Sequence, residues 1–410
     1  MLLLVELFRR IVTVGQLTVI DPHGRATVIA GTEPGPSSTI RIHDAAAARA
    51  IAVNPRLGLG EAYMDGRLTV EDGDAYSFLE FCAHNEVKLP TNSWLTHLYR
   101  LQRLLRRFQQ INPASRARNN VAHHYDLSGR LYELFLDADR QYSCAYFRTN
   151  NDSLDVAQEN KKRHIAAKLL LKPGSRVLDI GSGWGGLGIY LAKAGAGDVT
   201  GITLSTEQHK VSNERAAAAG LSNRVRFQLQ DYREQTGTFD RIVSVGMFEH
   251  VGVNHYRQFF AKMRDLLSDD GVAVLHAIGR ADGPGVTNPW IRRYIFPGGY
   301  SPALSEVLPA VEKSGLFVTD IEVLRLHYAE TLREWRRRFM VAREQIKALY
   351  DERFCRMWEF YLAGSELAFR YHGHIVWQMQ LAKRVDTVPL TRDYMFEWER
   401  TQAGRTTLAA

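Results

Sequence analysis

Val177-Leu-Asp-Ile-Gly-Ser-Gly-Trp-Gly-Gly186 is the stretch that decides how this 410-residue chain folds. The apolar run Arg176–Ile180 reads as a buried strand that stops at a cluster of glycines, and Leu187–Ala194 beyond them reads as a helix. In such a strand–turn–helix unit the glycines let the backbone approach a ligand, and the helix N-terminus faces it. A lone Gly-x-Gly is weak, because tight turns need glycine anyway. Here the flanking elements fit, and Asp179 stands just before the first glycine.

Outward from that turn, strands and helices alternate. Asp198–Leu204 is expected as the next strand, and Ser205–Ala219 as an alanine-rich helix ending at Gly220. Further strands are expected at Val225–Leu229, Arg241–Val245, Val272–Ala277 and Phe317–Leu326, with a helix at Asn254–Leu267 and a turn at Ser268-Asp-Asp-Gly271. This alternation implies an α/β fold with a doubly wound, mostly parallel sheet. The second strand runs into Gly201-Ile-Thr-Leu-Ser-Thr-Glu-Gln208 with no acid at its tip. NAD sites place an acid there, about 20 residues after the glycines, so NAD is disfavoured. Gln208 is placed to hold a ribose hydroxyl, and it also completes a Ser-x-x-Gln capping box with Ser205; the two roles are compatible. Asp231 and Tyr232, at the end of the third strand, are placed either to meet an adenine ring or simply to turn the chain.

Residues 1–95 read as a small α+β domain. Leu17–Ile20, Ala26–Ile29 and Ser38–Ile42 look like short strands, and Asp44–Ala52 and Ala75–Asn85 like helices. The glycines of Leu57–Gly66 suggest tight turns and close backbone contact. Trp94–Ile111 carries Leu95, Leu98, Leu101, Leu104, Leu105 and Phe108 on one face and Arg100, Arg103, Arg106 and Arg107 on the other. Such a basic amphipathic helix, the linker of 96–118, either lies on an anionic membrane or connects domains with its arginines in water. After His327 the chain reads as helical, with Leu332, Trp335, Phe339, Ala342, Ile346 and Leu349 recurring at helical steps. Residues 391–410 are expected as a C-terminal tail.

The net charge of +7 favours anionic partners, either phospholipid or nucleic acid. Cys82, Cys144 and Cys355 are too few and too scattered for a disulfide framework or a zinc site, which suits a reducing cytoplasm, and no metal is expected. Met1–Val5 is apolar, but Arg9 and Arg10 follow it, which is the wrong order for a signal peptide. No run approaches the roughly 18 apolar residues of a membrane span.

Several long motifs in order carry a resemblance that no single glycine turn could. They are His124-Tyr-Asp-Leu, Tyr142-Ser-Cys-Ala-Tyr-Phe147, the 178–186 turn, Gly201-Ile-Thr-Leu-Ser205, Phe239–Gly252, Tyr294-Ile-Phe-Pro-Gly298, and Tyr328-Ala-Glu-Thr-Leu332 with Trp335. From Asn119 to Lys383 the chain resembles the cyclopropane-fatty-acyl-phospholipid synthases, relatives of the mycolic acid cyclopropane synthases. The resemblance implies a class I S-adenosylmethionine-dependent methyltransferase fold across 119–390, with helical C-terminal insertions and a lipid-handling N-terminal domain. It implies that S-adenosylmethionine is held by Tyr142, Ser143, Asp179, Gly181, Gly183, Thr203, Leu204, Gln208, Asp231 and Tyr232. It further implies a bicarbonate ion at Cys144, Glu249, His276, Tyr328 and the backbone of Ile278. Ser182 departs from the cysteine common in relatives, and Tyr371-His-Gly-His374 has no assigned role.

The implied reaction puts the sulfonium methyl onto a cis alkene of a phospholipid acyl chain and closes a cyclopropane ring after proton loss. Such a site must align methyl and alkene, exclude water and supply a base. In this reading bicarbonate is the base, Glu249 orients it, and His276 and Tyr328 donate to it. Tyr142, Tyr146, Phe147, Phe248, Tyr294 and Phe296 form an aromatic inventory able to shelter a cation. The rivals are methyl branching of the acyl chain, N-methylation of small amines, and a noncatalytic lipid-binding protein on the same scaffold. No nucleic-acid-binding module is recognisable, so nucleic acid is not expected as a partner. Peripheral contact with the inner face of the membrane is expected, and a homodimer is compatible with the sequence.

Overall fold

The computed structural model describes residues 1–86 and 129–408, so the basic stretch at 94–111 and the 124–127 motif lie outside the described residues. Of the described residues, 1–86, 286–297 and 332–374 form one compact unit, and 129–285, 298–331 and 375–408 another.

The first unit is built on a four-stranded sheet, β1 (Val14–Ile20), β2 (Ala26–Ala30), β3 (Glu33–Ile42) and β4 (Leu68–Val70), in the order β2-β1-β3-β4. Helix α1 (Leu2–Ile11) and helices α2 (Ala45–Val53), α3 (Pro55–Met64) and α4 (Ala75–Glu86) cover it. The alternating positions Leu17 and Val19, and Ile40 and Ile42, join Leu4, Phe8, Ile51, Phe78 and Phe81 in one core. Asp44 starts α2 by accepting from Ala46 N at 2.9 Å and Ala47 N at 2.8 Å. The expected turns of Leu57–Gly66 are instead mostly helix α3, with Pro55 in its first turn. Close contact is what needs the glycines: a Cβ on Gly58 would lie 2.6 Å from Ala50 O, and one on Gly60 would lie 2.6 Å from Trp290 Cδ1. Tertiary packing here overrides the low helix propensity of glycine.

The second unit contains α5 (Gly129–Phe135), α6 (Leu154–Lys168), β5 (Arg176–Ile180), α7 (Gly186–Lys193), β6 (Asp198–Thr203), α8 (Thr206–Ala218), β7 (Val225–Leu229) and β8 (Phe239–Val245). It continues with α9 (Tyr256–Leu266), β9 (Leu267–Arg280), α11 (Leu304–Glu312) and β10 (Phe317–Val323), after α10 (Pro289–Tyr294) in the first unit. The last elements are α12 (His327–Val341), most of which belongs to the first unit, α13 (Arg343–Leu349) and α14 (Glu352–Tyr371), also of the first unit, and β11 (His374–Ala382) and α15 (Asp393–Leu408) of the second. Its seven-stranded sheet runs β10-β11-β9-β8-β5-β6-β7. Strands β5 to β9 pair in parallel, and β10 is antiparallel to β11. Both faces are covered, by a core around Phe248, Phe259, Phe260 and Trp377 and by another around Ile165, Leu191, Val199 and Phe227. This is the expected doubly wound, mostly parallel sheet.

Two elements differ from the sequence reading. The expected turn at Ser268–Gly271 is absorbed into β9, whose Leu267 pairs with Phe239 of β8 before the register shifts ahead of Val272. A bulge in a paired strand takes up the extra residues that a free turn would have used. The helical reading after His327 misses β11, where Gln378 and Gln380 alternate with Trp377, Met379 and Leu381 and Val376–Ala382 is buried on both faces. Within the expected tail, Asp393–Leu408 is helix, and it packs on α6.

Candidate active site

The glycine turn after β5 holds Gly181, Gly183 and Gly185 at positive φ (83°, 54° and 82°), conformations that side chains resist. A Cβ on Gly183 would meet nothing within 4 Å, so this backbone faces open space, while Gly185 caps α7 against Phe227 and Ser212. A cleft opens there. Tyr142, Ser143, Asp179, Gly181, Gly183, Thr203, Leu204, Gln208, Asp231 and Tyr232 all line it, so the ten cofactor candidates lie together. Ser182, noted as a departure from relatives, lines it too, as do Gln141, Trp184, Arg233, Met247 and His250, which sequence reasoning had not singled out.

Details of the cleft sharpen the expectations. Ser205 Oγ accepts from Gln208 N at 3.3 Å, which is one half of the capping box. The reciprocal half is replaced, because Thr203 Oγ1 accepts from Ser205 N and donates to Gln208 Oε1 at 3.0 Å. Gln208 is thereby held by its oxygen. Asp231 takes a bidentate grip from Arg233, at 2.8 and 2.6 Å, and also accepts from Arg233 N. Tyr232 stands edge-on to Phe259. Asp179 is buried, its Oδ2 has no hydrogen-bond partner among the described residues, and burial pushes its pKa up to about 7 against the pull of Lys161.

The five anion-site candidates come from four places in the second unit. Glu249 sits on a single 3₁₀ turn, Phe248–His250, just after β8. His276 and Ile278 lie on β9, where His276 pairs with Val245 of β8. Cys144 precedes α6, and Tyr328 opens α12. Glu249 Oε1 accepts from Ile278 N at 2.6 Å, whereas its buried Oε2 has no partner among the described residues. Burial pushes the Glu249 pKa up to about 7, partly countered by the Ile278 N–H. Burial also drives His276 well below its ordinary pKa, so it is neutral. Gln378 on β11 donates Nε2–H to His276 Nδ1 at 3.1 Å, which leaves the histidine proton on Nε2. Cys144 is buried, its thiol donates to Ala145 O at 3.3 Å, and burial keeps it protonated. Thr331, one turn after the buried Tyr328, accepts from Ala145 N at 3.0 Å and so ties α12 to the Cys144 segment.

Within the second unit the aromatic inventory is dispersed rather than gathered. Phe248 is core, stacked on Tyr256 at 4.5 Å, and Tyr146 is sandwiched between His164 and His327. Tyr294 donates to Glu61 and Phe296 packs on Tyr361, both within the first unit. Of the six, Tyr142 lines the cleft. Gln378 and two residues of α6, Gln158 and Lys161, were not foreseen. The alternation Trp377-Gln-Met-Gln-Leu381 was the available signal for the strand that carries Gln378, though not for its contact with His276.

Comparisons with known proteins agree on one family. Residues 113–379 fit the profile of the mycolic acid cyclopropane synthetase family. The chain is 39% identical over 332 residues to the cyclopropane-fatty-acyl-phospholipid synthase of Escherichia coli, covering 80% of this chain and 84% of that one. It is 37% identical over 394 residues to a tuberculostearic acid methyltransferase of Mycobacterium tuberculosis, covering 92% and 90%. A solved cyclopropane synthase from Mycobacterium tuberculosis superposes with a TM-score of 0.62 at 33% identity, covering 67% of this chain and 99% of that one. The matched span contains the glycine turn, the cleft and the Glu249–His276 pair, and the chain belongs to the mycolic acid cyclopropane synthetase family, as an S-adenosylmethionine-dependent C-methyltransferase.

Proposed function

We propose that the protein adds the methyl carbon of S-adenosylmethionine to the cis double bond of unsaturated phospholipid acyl chains and closes a cyclopropane ring. The observation that carries this reading is Glu249: a buried carboxyl with one oxygen fixed by the N–H of Ile278, two positions along β9 from a neutral His276, and the other without a partner among the described residues. The unpartnered Oε2 of Glu249 fits a bound, protonated oxygen, and the open face at Gly183 with the orphaned Asp179 Oδ2 fits a cationic nucleoside ligand. When bound, S-adenosylmethionine supplies an electrophilic methyl and bicarbonate a proton acceptor.

This chain's own residues then have three tasks. The glycine turn, Thr203 and Gln208 orient the cofactor, with Gln208 fixed by its oxygen and its amide N–H groups left to donate. Glu249, partly protonated at neutral pH, donates a hydrogen bond to the anion or accepts one from it without adding a full negative charge. His276 presents Nε2–H because Gln378 holds the other nitrogen, so it donates and does not compete for the proton. Tyr328 is the other hydroxyl donor in this arrangement. Burial of Cys144, Glu249, His276 and Tyr328 keeps water from the positive charge that the acyl chain carries before its proton leaves. The protein meets its lipid at the membrane surface, a contact supported by the net charge of +7; among the described residues no helix is long and apolar enough to cross a membrane.

Methyl branching is the second reading. It is favoured by the tuberculostearic acid methyltransferase, which matches 92% of this chain. The two share the first step and part at the product. The test is to incubate the protein with S-adenosylmethionine, bicarbonate and vesicles of monounsaturated phospholipid, then weigh the fatty acids. A ring adds CH2, about 14 mass units, to the unsaturated chain, and Glu249→Gln should lose that product. A branched alkene has the same added mass and is told apart by its vinylic protons in NMR, which the ring lacks; finding it would establish the second reading, and no product despite cofactor binding would sink both.

A further inference from the structure

Among the described residues, three that are not glycine hold positive φ: Leu170, Arg325 and, in the wall of the cleft, Arg140 at 55°. A long side chain resists that conformation, and it persists only where its surroundings impose it. Here they do. The buried carboxylate of Asp137 accepts from Asp139 N at 3.0 Å and from Gln141 N at 2.8 Å, and its backbone carbonyl accepts from Arg140 N at 2.9 Å. Helix α6 fixes the residues that follow. Gln158 Nε2 donates to Gln141 O at 3.2 Å and Ser143 O at 2.9 Å, while Lys161 Nζ donates to Gln141 Oε1 at 2.6 Å and Ser143 Oγ at 2.8 Å. The strained turn therefore holds one guanidinium in a set place.

That guanidinium lies over the ring of Trp184 in the glycine turn, 5.6 Å from its centroid. One of its five N–H groups donates to Glu133, and the other four have no hydrogen-bond partner among the described residues. Glu133 is half exposed, so this ion pair contributes little. The other charges nearby are taken. Asp139 pairs with Lys162 at 2.8 Å and with Arg215. Arg233, the second arginine lining the cleft, grips Asp231, and burial holds His250 neutral by lowering its pKa to about 4.

Strand order says which part of a ligand Arg140 faces. The cleft spans the ends of β5, β6 and β7, which are neighbours in that order. Asp231 and Tyr232, the adenine candidates, follow β7, and Gln208, the ribose candidate, follows β6. Arg140 meets the turn after β5, two strand spacings or about 10 Å from the adenine end. The amino-acid end of S-adenosylmethionine, a carboxylate beside an ammonium, is left for that turn. Asp179 Oδ2, at the end of β5, also lacks a partner among the described residues, so both signs of charge are on offer there.

We propose that Arg140 binds the carboxylate at the methionine end of S-adenosylmethionine through a charge-assisted hydrogen bond, and so sets the cleft's preference for ligands that carry one. The proposal rests on the reading that this cleft holds S-adenosylmethionine.

The test is calorimetric titration of the full-length protein with three probes. They are S-adenosylhomocysteine, its decarboxylated analogue, which keeps the ammonium, and methylthioadenosine, which has neither charge. Wild type should prefer S-adenosylhomocysteine to the decarboxylated analogue by a factor of roughly ten to one hundred. Arg140→Met should lose most of that preference by weakening S-adenosylhomocysteine, with the other two probes within about threefold of wild type. Arg140→Lys keeps a charge without the fork and should restore part of the preference. Thermal melts establish folding. If Arg140→Met fails to fold, Arg140→Gly removes the same charge in a residue that takes a φ of 55° without strain, and the same loss is expected. Equal weakening of all three probes makes Arg140 a structural residue and overturns the proposal, as does unchanged affinity for S-adenosylhomocysteine. A wild type that binds all three equally tightly overturns the proposal while leaving the cofactor reading in place. A wild type that binds none of them overturns the cofactor reading underneath.

Discussion

Glu249 holds its proton about 2.5 pH units longer than an exposed glutamate (7 against 4.5), and burial is the main cause. A carboxyl raised in this way stabilises the fold fully below pH 4.5, and that contribution is lost as pH climbs through about 7. Glu249→Gln removes the titration, so in urea melts of the ligand-free protein its stability relative to wild type should grow between pH 5 and pH 8, by about 3 kcal/mol. A pH-independent difference would contradict the burial argument. His276 gives a second prediction: Gln378→Leu removes the donor that fixes its tautomer and should lower kcat roughly tenfold with KM for S-adenosylmethionine unchanged. Steady-state rates in both substrates check it. Glu249 and His276 came from the family resemblance, and the structure places one just after β8 and the other on β9, in a parallel sheet whose strand ends are where ligands sit. Gln378 was not foreseen, because its partner lies 102 residues away and no local pattern announces a tautomer-fixing contact.

Among the elements, α6 shows why a site can be half-read. It is buried almost all round, with Gln158, Lys161, Lys162, His164 and Lys168 inside, so it has no polar stripe to mark it as a helix near a site. Its far end is anchored by α15. His164 lies between Glu399 at 2.5 Å and Glu322 at 2.7 Å. Burial alone would lower the His164 pKa, but these two hydrogen bonds outweigh it, and the value is raised. A raised histidine stabilises the fold fully below pH 6.5 and loses that contribution as pH passes the raised value. Glu399→Gln should therefore cost about 2 kcal/mol at pH 6 and less at pH 9, as measured by denaturant melts. In the first unit, Gly60→Ala places a methyl against the Trp290 ring and should cost about 1–3 kcal/mol, read as a lower Tm. The glycines of α3 were read correctly as close contacts and wrongly as turns, because sequence shows which residue is small and not what approaches it.

Over the whole molecule, the excess of seven positive charges predicts binding to anionic vesicles that weakens several-fold when salt is raised. Flotation with phosphatidylglycerol and phosphatidylcholine vesicles checks it, and equal binding to both lipids would remove charge as the cause of membrane contact. The sheet's class was legible from the alternation of strands and helices. The grouping of 286–297 and 332–374 with the N-terminal residues was not, because it depends on contacts between stretches hundreds of residues apart. The position of β11 has a consequence for synthesis. It lies between β9 and β10 in the sheet, although both of those strands leave the ribosome well before it. At about 5–20 residues per second, the growing chain spends seconds with β9 complete and its neighbour on that side unmade. An open strand edge is a template for pairing with other chains, so this interval is when the nascent protein most needs a chaperone. A message broken before codon 374 would yield an aggregating fragment rather than a weakened enzyme, since the last strand both closes the sheet and brings Gln378 to the histidine.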